Sequence, residues 1–340
     1  MPVLRTRKRP MRDGILVMDK PSGMTSFQMV QEVRKRFKVK KAGHAGTLDP
    51  LATGVLPICL GRATKIVRFI MAGHKVYQGT MLLGVTTDTY DAAGRVTEQR
   101  PLPSDLDLVS LQNAAKKFTG RLFQPPPPFS AAKHKGRPLY KFARQGIMVQ
   151  KESRPVQVFS FEILEMRLPE VDFRVHCSKG TYVRSLVNEL GSDLGCGAHV
   201  KGLQRIRSGP FDIGQALKIE TLDEILESKG PSGVLIPVEK ALAHIPAIEI
   251  DIDMAADLRN GRPILVSRLR ELMESQDHES DPELPYLRLL LCRAPFSKNG
   301  SGSQGKDLVS VVTWPTVLKT DNHKILRPIK IWPGKCAVAD

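Results

Sequence analysis

Between residues 171 and 194 the hydrophobic pattern changes period. Val171, Phe173, Val175 and Cys177 alternate with Asp172, Arg174 and His176, whereas Val183, Leu186, Val187, Leu190 and Leu194 recur at helical spacing. The first pattern buries one face of a strand, and the second lays an apolar stripe along a helix. Joined through Lys179-Gly180, strand and helix point to a mixed layer in which the helix packs on a half-buried sheet. At ~100° per residue, Arg184 and Tyr182 fall on opposite flanks of the stripe. Both stand in the first turn, where unpaired amides and the helix dipole attract anions.

Neighbouring segments add to this layer. Residues 15–18 read as a short buried strand, followed by the turn Pro21-Ser22-Gly23. Thr25 and Ser26 can cap a helix with Phe27, Val30, Val33 and Phe37 as its apolar side. Gly43, Gly46, Pro50 and Gly54 predict a long structured loop over 40–54. A strand over 55–60, a helix over 63–70 and a strand over 76–83 follow. Residues 104–118 read as a helix with Ser104 and Asp107 as cap and Gly120 as its stop. The stretch 124–154 opens with Pro125 to Pro128 and is too polar for core and too long for a simple connection. An excursion that contacts a ligand is expected there.

A chain of 340 residues fits about two domains. Residues 237–250 read as a boundary. Beyond it, strand-like runs at 287–291, 308–313 and 325–331 are split by an acidic stretch, 271–283, and a Gly/Ser-rich one, 297–305. The expected division is a basic tail over 1–13, a large domain over 14–245, and a small β-rich domain over 246–340 with an insert at 271–305.

Charge narrows the partner. Lys and Arg total 51 against 35 Asp and Glu, a formal net charge of +16, and an excess of this size predicts an anionic partner. Residues 34–41 carry six cations, and residues 116–154 carry ten against the single acid Glu152. One such cluster is also what a solvated face or a helix C-terminus produces. Two together point to a phosphate backbone. Interleaved aromatics are few, which favours docking on a folded RNA over a stacking platform. DNA binding lacks a helix-turn-helix or zinc signature. Five cysteines make no disulfide framework. Cys196-Gly197-Ala198-His199 is half of a zinc spacing without the other half, so no metal is expected. No stretch approaches the ~20 apolar residues of a membrane span. The apolar run after the basic start ends at Asp19-Lys20, too short for a signal peptide. The expectation is a soluble, cytoplasmic protein and, with no heptads or large apolar stripe, a monomer.

For chemistry, residues 43–54 set one carboxylate, Asp49, in a Gly-rich loop between basic segments. Pro50 restricts Asp49 to an extended or turn conformation, although Asp-Pro is also a common turn start. No Ser/His/Asp order, phosphate-binding loop or dinucleotide glycine motif is present. These residues alone point to a basic, RNA-directed protein with one candidate carboxylate.

Taken as a block, 43–54 with Val55-Leu56-Pro57-Ile58-Cys59-Leu60-Gly61-Arg62-Ala63-Thr64-Lys65 closely resembles the signature of the bacterial TruB family of tRNA pseudouridine synthases. Four further blocks fit in the same order. The first two are Asp19-Lys20-Pro21-Ser22-Gly23-Met24-Thr25-Ser26, and Tyr77 to Gly84 with Thr87-Asp88-Thr89 and Asp91. The third is 124–146, with Phe129-Ser130-Ala131, Lys133, Gly136 and Tyr140-Lys141-Phe142-Ala143-Arg144-Gln145-Gly146. The last is His176 to Ser185 with Leu194-Gly195-Cys196-Gly197-Ala198-His199-Val200. The resemblance spans residues 14–240. Beyond it, Leu258-Arg259-Asn260-Gly261-Arg262-Pro263 and Leu326-Arg327-Pro328 resemble the family's small C-terminal domain, while the 271–305 insert departs from the bacterial pattern.

The resemblance implies an α+β fold: a mixed, largely antiparallel-sheet pseudouridine synthase catalytic domain plus a small C-terminal β-rich PUA-like domain. It implies a cofactor-free isomerisation that detaches uracil from C1′ of a uridine, turns it and reattaches it through C5. The uridine is the one numbered 55 in the tRNA T loop. Asp49 matches the family's nucleophile; a carboxylate can attack carbon, form an ester-like adduct and leave again. Arg184 matches the arginine that keeps it ionised, since an opposing charge within ~4–6 Å lowers a carboxylate pKa by about 1–3 units and offsets desolvation in the pocket. Tyr77 matches the tyrosine that stacks on the target base and is a candidate general base.

His44 matches the histidine that fills the space left by the flipped base. Tyr182 and Leu203 match pocket-lining positions, and Lys20 supports the pocket from its turn. Residues 124–154 match the family's thumb insertion, in which Lys133, Lys135, Arg137, Lys141 and Arg144 would hold RNA phosphates. An already looped base costs least to flip, which suits a T-loop target. The implied partner is the tRNA T stem-loop, with no cofactor, membrane or obligatory protein partner. Guide-RNA-dependent, dyskerin-type relatives usually lack the thumb, and an RNA-folding chaperone would keep its effect without Asp49.

Overall fold

The computed structural model describes residues 13–245, 247–260, 262, 264–275, 286–292, 306–313, 325–326 and 330–331. Two compact units divide the chain between Pro237 and Val238. Residues 1–12 of the expected tail over 1–13, Gly261, Pro263, Arg327, Pro328 and the parts of the insert at 276–285 and 293–305 lie outside the described residues.

The first unit is built around one large sheet. Its strands run in the order Gly14–Lys20, Thr53–Leu60, Ala198–Ser208, Lys75–Leu83, Glu170–Cys177, Arg154–Arg167 and Gly120–Gln124. Every pair along this path is antiparallel except Thr53–Leu60 with Ala198–Ser208, which meet in parallel through Gln204 with Thr53 and Arg205 with Gly54. The fold is therefore mixed α/β with a largely antiparallel sheet. The parallel contact closes the loop that carries Asp49. Gly54 has φ +96° there, and a Cβ would stand 2.3 Å from the carbonyl oxygen of Arg205. Only glycine fits so close an approach.

The change of period at 171–194 is realised directly. Strand Glu170–Cys177 buries Val171, Phe173, Val175 and Cys177, and helix Val183–Asp193 packs Val183, Leu186, Val187 and Leu190 into the same core. Leu111, Ala114 and Ala115 of helix Leu108–Lys116 complete it. A buried aliphatic side chain contributes roughly 1.5–3 kcal/mol, so this packing fixes the helix and carries Arg184, on its flank, inside. A second core joins strands Gly14–Lys20 and Thr53–Leu60 to helix Ser26–Phe37. Thr25 caps that helix in a reciprocal capping box with Gln28.

Local differences from the sequence expectations have plain causes. Phe27 is 64% exposed; at ~100° per residue it falls outside the arc spanned by Met29, Val30, Val33 and Phe37. Within the expected loop, Ala42–His44 forms a short strand against the end of Thr53–Leu60. The helix expected over 63–70 begins as a 3-10 turn, Gly61–Ile66, before α-helix Val67–Ala72. Asp107 alone caps Leu108–Lys116, because it and Ser110 satisfy each other's backbone amides; Ser104 stays in the preceding turn. Residues 124–154 hold a short hairpin, Lys133–His134 with Arg137–Pro138, and helix Leu139–Ala143.

The second unit contains a four-stranded sheet in the order Ala247–Ile250, Tyr286–Cys292, Lys306–Thr313 and Lys330–Ile331, its first pair parallel. Helices Ile252–Arg259 and Val266–Ser275 accompany it. Among the described residues, no helix is long and apolar enough to cross a membrane.

Candidate active site

The loop after Ala42–His44 is anchored from below and from both sides. Leu48 and Ala52 plug into the core, which leaves Asp49 between them facing outward. Ser26, buried at the start of its helix, accepts from the amide of Leu48 and donates to its carbonyl. Gly23 donates to the carbonyl of Pro50, and Ser22 to that of Leu51. Lys20 is fully buried, and its Nζ donates to the carbonyls of Pro21 (2.8 Å), Met24 (2.6 Å) and Pro50 (3.1 Å). An ammonium has three donors, and all three are used. Arg205, 1% exposed, donates from Nε to Val55 and from its two terminal nitrogens to Thr47 and Gly46. Two buried cations thus grip the loop by its carbonyls.

Arg184 meets this loop from helix Val183–Asp193. Its Nε lies 2.9 Å from Oδ2 of Asp49 and its Nη1 lies 3.1 Å from Oδ2 of Asp91. The Asp49 contact is an ion pair without the alignment of a hydrogen bond. Nη1 also donates to the carbonyl of Thr89 and Nη2 to that of Phe129. Asp91 is itself held by Thr89 Oγ1 and the amide of Ala93. Burial pushes the Asp49 carboxyl above the usual carboxylate range; Arg184 opposes this, Asp91 adds to it and Lys20 opposes it. The net direction differs from the lowering that an arginine neighbour alone predicts, because desolvation outweighs the attraction. The side chain of Asp49 nevertheless remains 38% exposed to the pocket beside it.

That pocket has a volume of about 340 Å³, within the range of sites that enclose a small molecule. Asp49, Tyr77, Tyr182, Arg184 and Leu203 all line it. Tyr77 and Leu203 come from adjacent strands, with Leu203 opposite Gly79 in the register. Gly79 admits them: a Cβ there would lie 2.4 Å from the carbonyl oxygen of Gly202. Tyr182 is the N-cap residue of the helix, in extended conformation, and Gln124 clamps its backbone with two hydrogen bonds, to the carbonyl and from the amide. Burial pushes both tyrosine phenols up, against Arg205 at Tyr77 and Ser130 at Tyr182.

Two family-model matches decide the relationship. Residues 34–183 match the TruB family pseudouridylate synthase N-terminal domain, and residues 184–243 match the tRNA pseudouridylate synthase B C-terminal domain. The chain belongs to the TruB family. Its relatives include the tRNA pseudouridine synthase B of Syntrophus aciditrophicus, 48% identical over 262 residues that cover 76% of this chain and 82% of that protein. The synthase of the same name from Tolumonas auensis is 42% identical over 273 residues, covering 77% and 84%. The crystal structure of a Cbf5-Nop10-Gar1 complex contains a similar chain, with a TM-score of 0.67 and 25% identity over 95% of this chain and 87% of that one. A chain in the crystal structure of the archaeal box H/ACA sRNP Nop10-Cbf5 complex gives 0.62 at 23% identity, over 95% and 89%.

Other candidate residues of this TruB-family chain stand apart from the pocket wall. Lys20 supports the loop from behind it. His44 sits half-buried on strand Ala42–His44, outside the lining. Burial and Arg205 push its imidazole pKa down, which favours the neutral ring, and its Nδ1 is buried without a hydrogen-bond partner. Lys133, Lys135, Arg137, Lys141 and Arg144 are exposed and do not line the pocket. The guanidinium carbons of Arg137 and Arg144 lie 5.2 Å and 5.5 Å from the ring centres of Phe142 and Tyr140. Asp91, Gln124, Arg205 and Lys75 escaped the sequence reading as site residues. Asp91 and Gln124 stand inside motif blocks, which is the signal that was available for them. Among the described residues, no cluster of His, Cys, Asp and Glu could hold a metal ion.

Proposed function

We propose that this chain isomerises a uridine of tRNA to pseudouridine, at the T-loop position numbered 55, with Asp49 as nucleophile and no cofactor. The observation that carries this reading is one pocket-facing carboxylate, held by a rigid loop against an arginine that is 4% exposed. The target base is flipped into the pocket, where Tyr77 stacks on it and Leu203 and Tyr182 bound it. The Asp49 carboxylate attacks carbon as the bond from C1′ to N1 breaks, and the electron pair leaves with N1. The free base turns, C5 bonds to C1′, and Asp49 is released. A proton leaves C5 and another is taken up at N1, so atoms and charge balance. Arg184 favours the ionised carboxylate against the desolvation that opposes it. Tyr77, its phenol pushed up by burial, acts as a neutral stacking group with its proton in place.

His44 fills the gap that the flipped base leaves in the T loop. Lys133, Lys135, Arg137, Lys141 and Arg144 hold phosphates, which makes affinity fall with salt. Residues 246–340 serve as the PUA-like RNA-binding domain, and the protein works as a cytoplasmic monomer without an obligatory partner. A guide-RNA-dependent role is the competing reading, because the structural neighbours are ribonucleoprotein subunits. The relatives named tRNA pseudouridine synthase B, at 40–48% identity, favour the stand-alone enzyme over neighbours at 23–25%. The test is incubation of purified protein with an unmodified tRNA transcript, without metal or guide, and mapping of pseudouridine at single-nucleotide resolution. Conversion confined to the T-loop uridine is expected. RNA binding without any conversion would overturn the stand-alone reading.

A further inference from the structure

The pocket holds more positive charge than the ion pair at Asp49 uses. Lys75 lies on strand Lys75–Leu83 two residues before Tyr77, so both side chains project from the same face. It lines the same pocket and is only 5% exposed. Its Nζ donates to the carbonyls of Met71, at 2.6 Å, and of Gly73. An ammonium has three donors, so one is left over. Lys179 and Arg154 also line the pocket, and both are exposed. The only carboxylate among the lining residues is Asp49, already engaged by Arg184. Burial pushes Lys75 down to about 7, and Arg205 and Lys179 add to this with charge of the same sign; the Cys177 thiol alone opposes them.

Cations gathered in a partly desolvated site whose one acid is already paired repel one another until an anion arrives. The uracil ring is neutral and does not call for several charges. Its flanking phosphodiesters do. We propose that Lys75 and Lys179 together bind a phosphodiester next to the flipped nucleotide and thereby position its sugar against Asp49. The assignment rests on the RNA-modifying reading above and makes Lys75 a positioning residue.

The test is a coupling cycle on a T stem-loop RNA. The 5′ or the 3′ phosphodiester of the target uridine is replaced by a neutral methylphosphonate, and kcat/KM is measured for wild type, Lys179→Ala and Lys75→Met. On native RNA each variant is expected to lose about tenfold, the size of one charge-assisted hydrogen bond. At one of the two linkages, the methylphosphonate costs wild type about the same and costs either variant less than about twofold. Lys179 is exposed, so Lys179→Ala keeps the test open even if Lys75→Met fails to fold. Losses that multiply independently at both linkages would overturn the proposal, as would full activity of Lys179→Ala on native RNA. A wild type that converts no uridine in native RNA overturns the functional reading instead, and this inference with it.

Discussion

Asp49 and Asp91 share one guanidinium. Arg184 lies 2.9 Å from the first carboxylate and 3.1 Å from the second, and it also donates to the carbonyls of Thr89 and Phe129. A buried arginine with two carboxylates cannot swing away from either without leaving a charge unpaired, which is costly. Asp49 is therefore presented to the pocket by a partner that is itself immobilised. Asp91 also acts on Asp49 by repulsion, and the two effects separate experimentally.

Asp91→Asn keeps the shape and removes the charge. Because Asp91 pushes the Asp49 pKa up, its loss is expected to move the acidic limb of kcat/KM to lower pH. At the same time kcat falls about tenfold as Arg184 loses its second ionic partner. Arg184→Gln shifts the same limb the other way, to higher pH, since Arg184 pulls the carboxyl down. Rate profiles between pH 4 and 8, an interval of about four pH units centred above the ordinary aspartate value of ~3.9, read both signs.

Lys20 offers a second pH test. Burial lowers it to about 8, below the ordinary ~10.4 of a free lysine. Between those two values the unfolded chain holds a proton that the folded one has lost, so stability rises as pH increases across the window. Lys75, lowered to about 7, adds to the slope from lower pH. Lys20→Met is expected to flatten the rise between pH 8 and 10, about two pH units, in denaturant titrations. It is also expected to lower kcat about tenfold, because Pro50, next to Asp49, loses its anchor. An unchanged slope would show that Lys20 titrates normally.

Gly54→Ala places a methyl 2.3 Å from the carbonyl of Arg205 at a φ of +96°. A loss of at least about 2 kcal/mol of stability is expected. Arg205→Met strips three carbonyls of their donor in the interior and costs roughly 3 kcal/mol or more. Thermal unfolding checks both. A variant that retains stability would show that the loop is anchored elsewhere.

On the exposed hairpin and helix of 124–154, Lys141→Ala with Arg144→Ala is expected to leave kcat unchanged and to weaken tRNA binding. The slope of log Kd against log salt should fall by about 1 for each lost phosphate contact. Binding measured at several salt concentrations gives the slope directly.

How much of this was legible depends on where each signal resides. The alternation from Val171 to Cys177 and the stripe from Val183 to Leu190 carry their periods in the side chains themselves, and both formed as written. The strand Ala42–His44 carries none, since it exists through pairing with Thr53–Leu60 across a Gly-rich loop. Phe27 stands three residues before Val30 and ~60° from it around the helix, which is enough to put it on the exposed flank. In the site, Asp49, Arg184, Tyr77 and Tyr182 fall inside motif blocks, and the fold brings them to one pocket. Arg205 and Lys75 stayed hidden because their partners are backbone carbonyls, which every residue has. At Asp49 the sequence shows the two opposing effects but not which one wins, because desolvation is set by the whole loop and not by the one arginine that the sequence pairs with it.

In the proposed reaction Asp49 forms and breaks the bond to the sugar carbon. Asp49→Asn and Asp49→Ala, run beside wild type on an unmodified tRNA transcript, test it most directly, with pseudouridine formation and RNA affinity measured in the same samples. T-loop conversion by wild type, none by either variant, and unchanged RNA affinity in all three are expected. Pseudouridine formed by Asp49→Asn at a rate near that of wild type would contradict it.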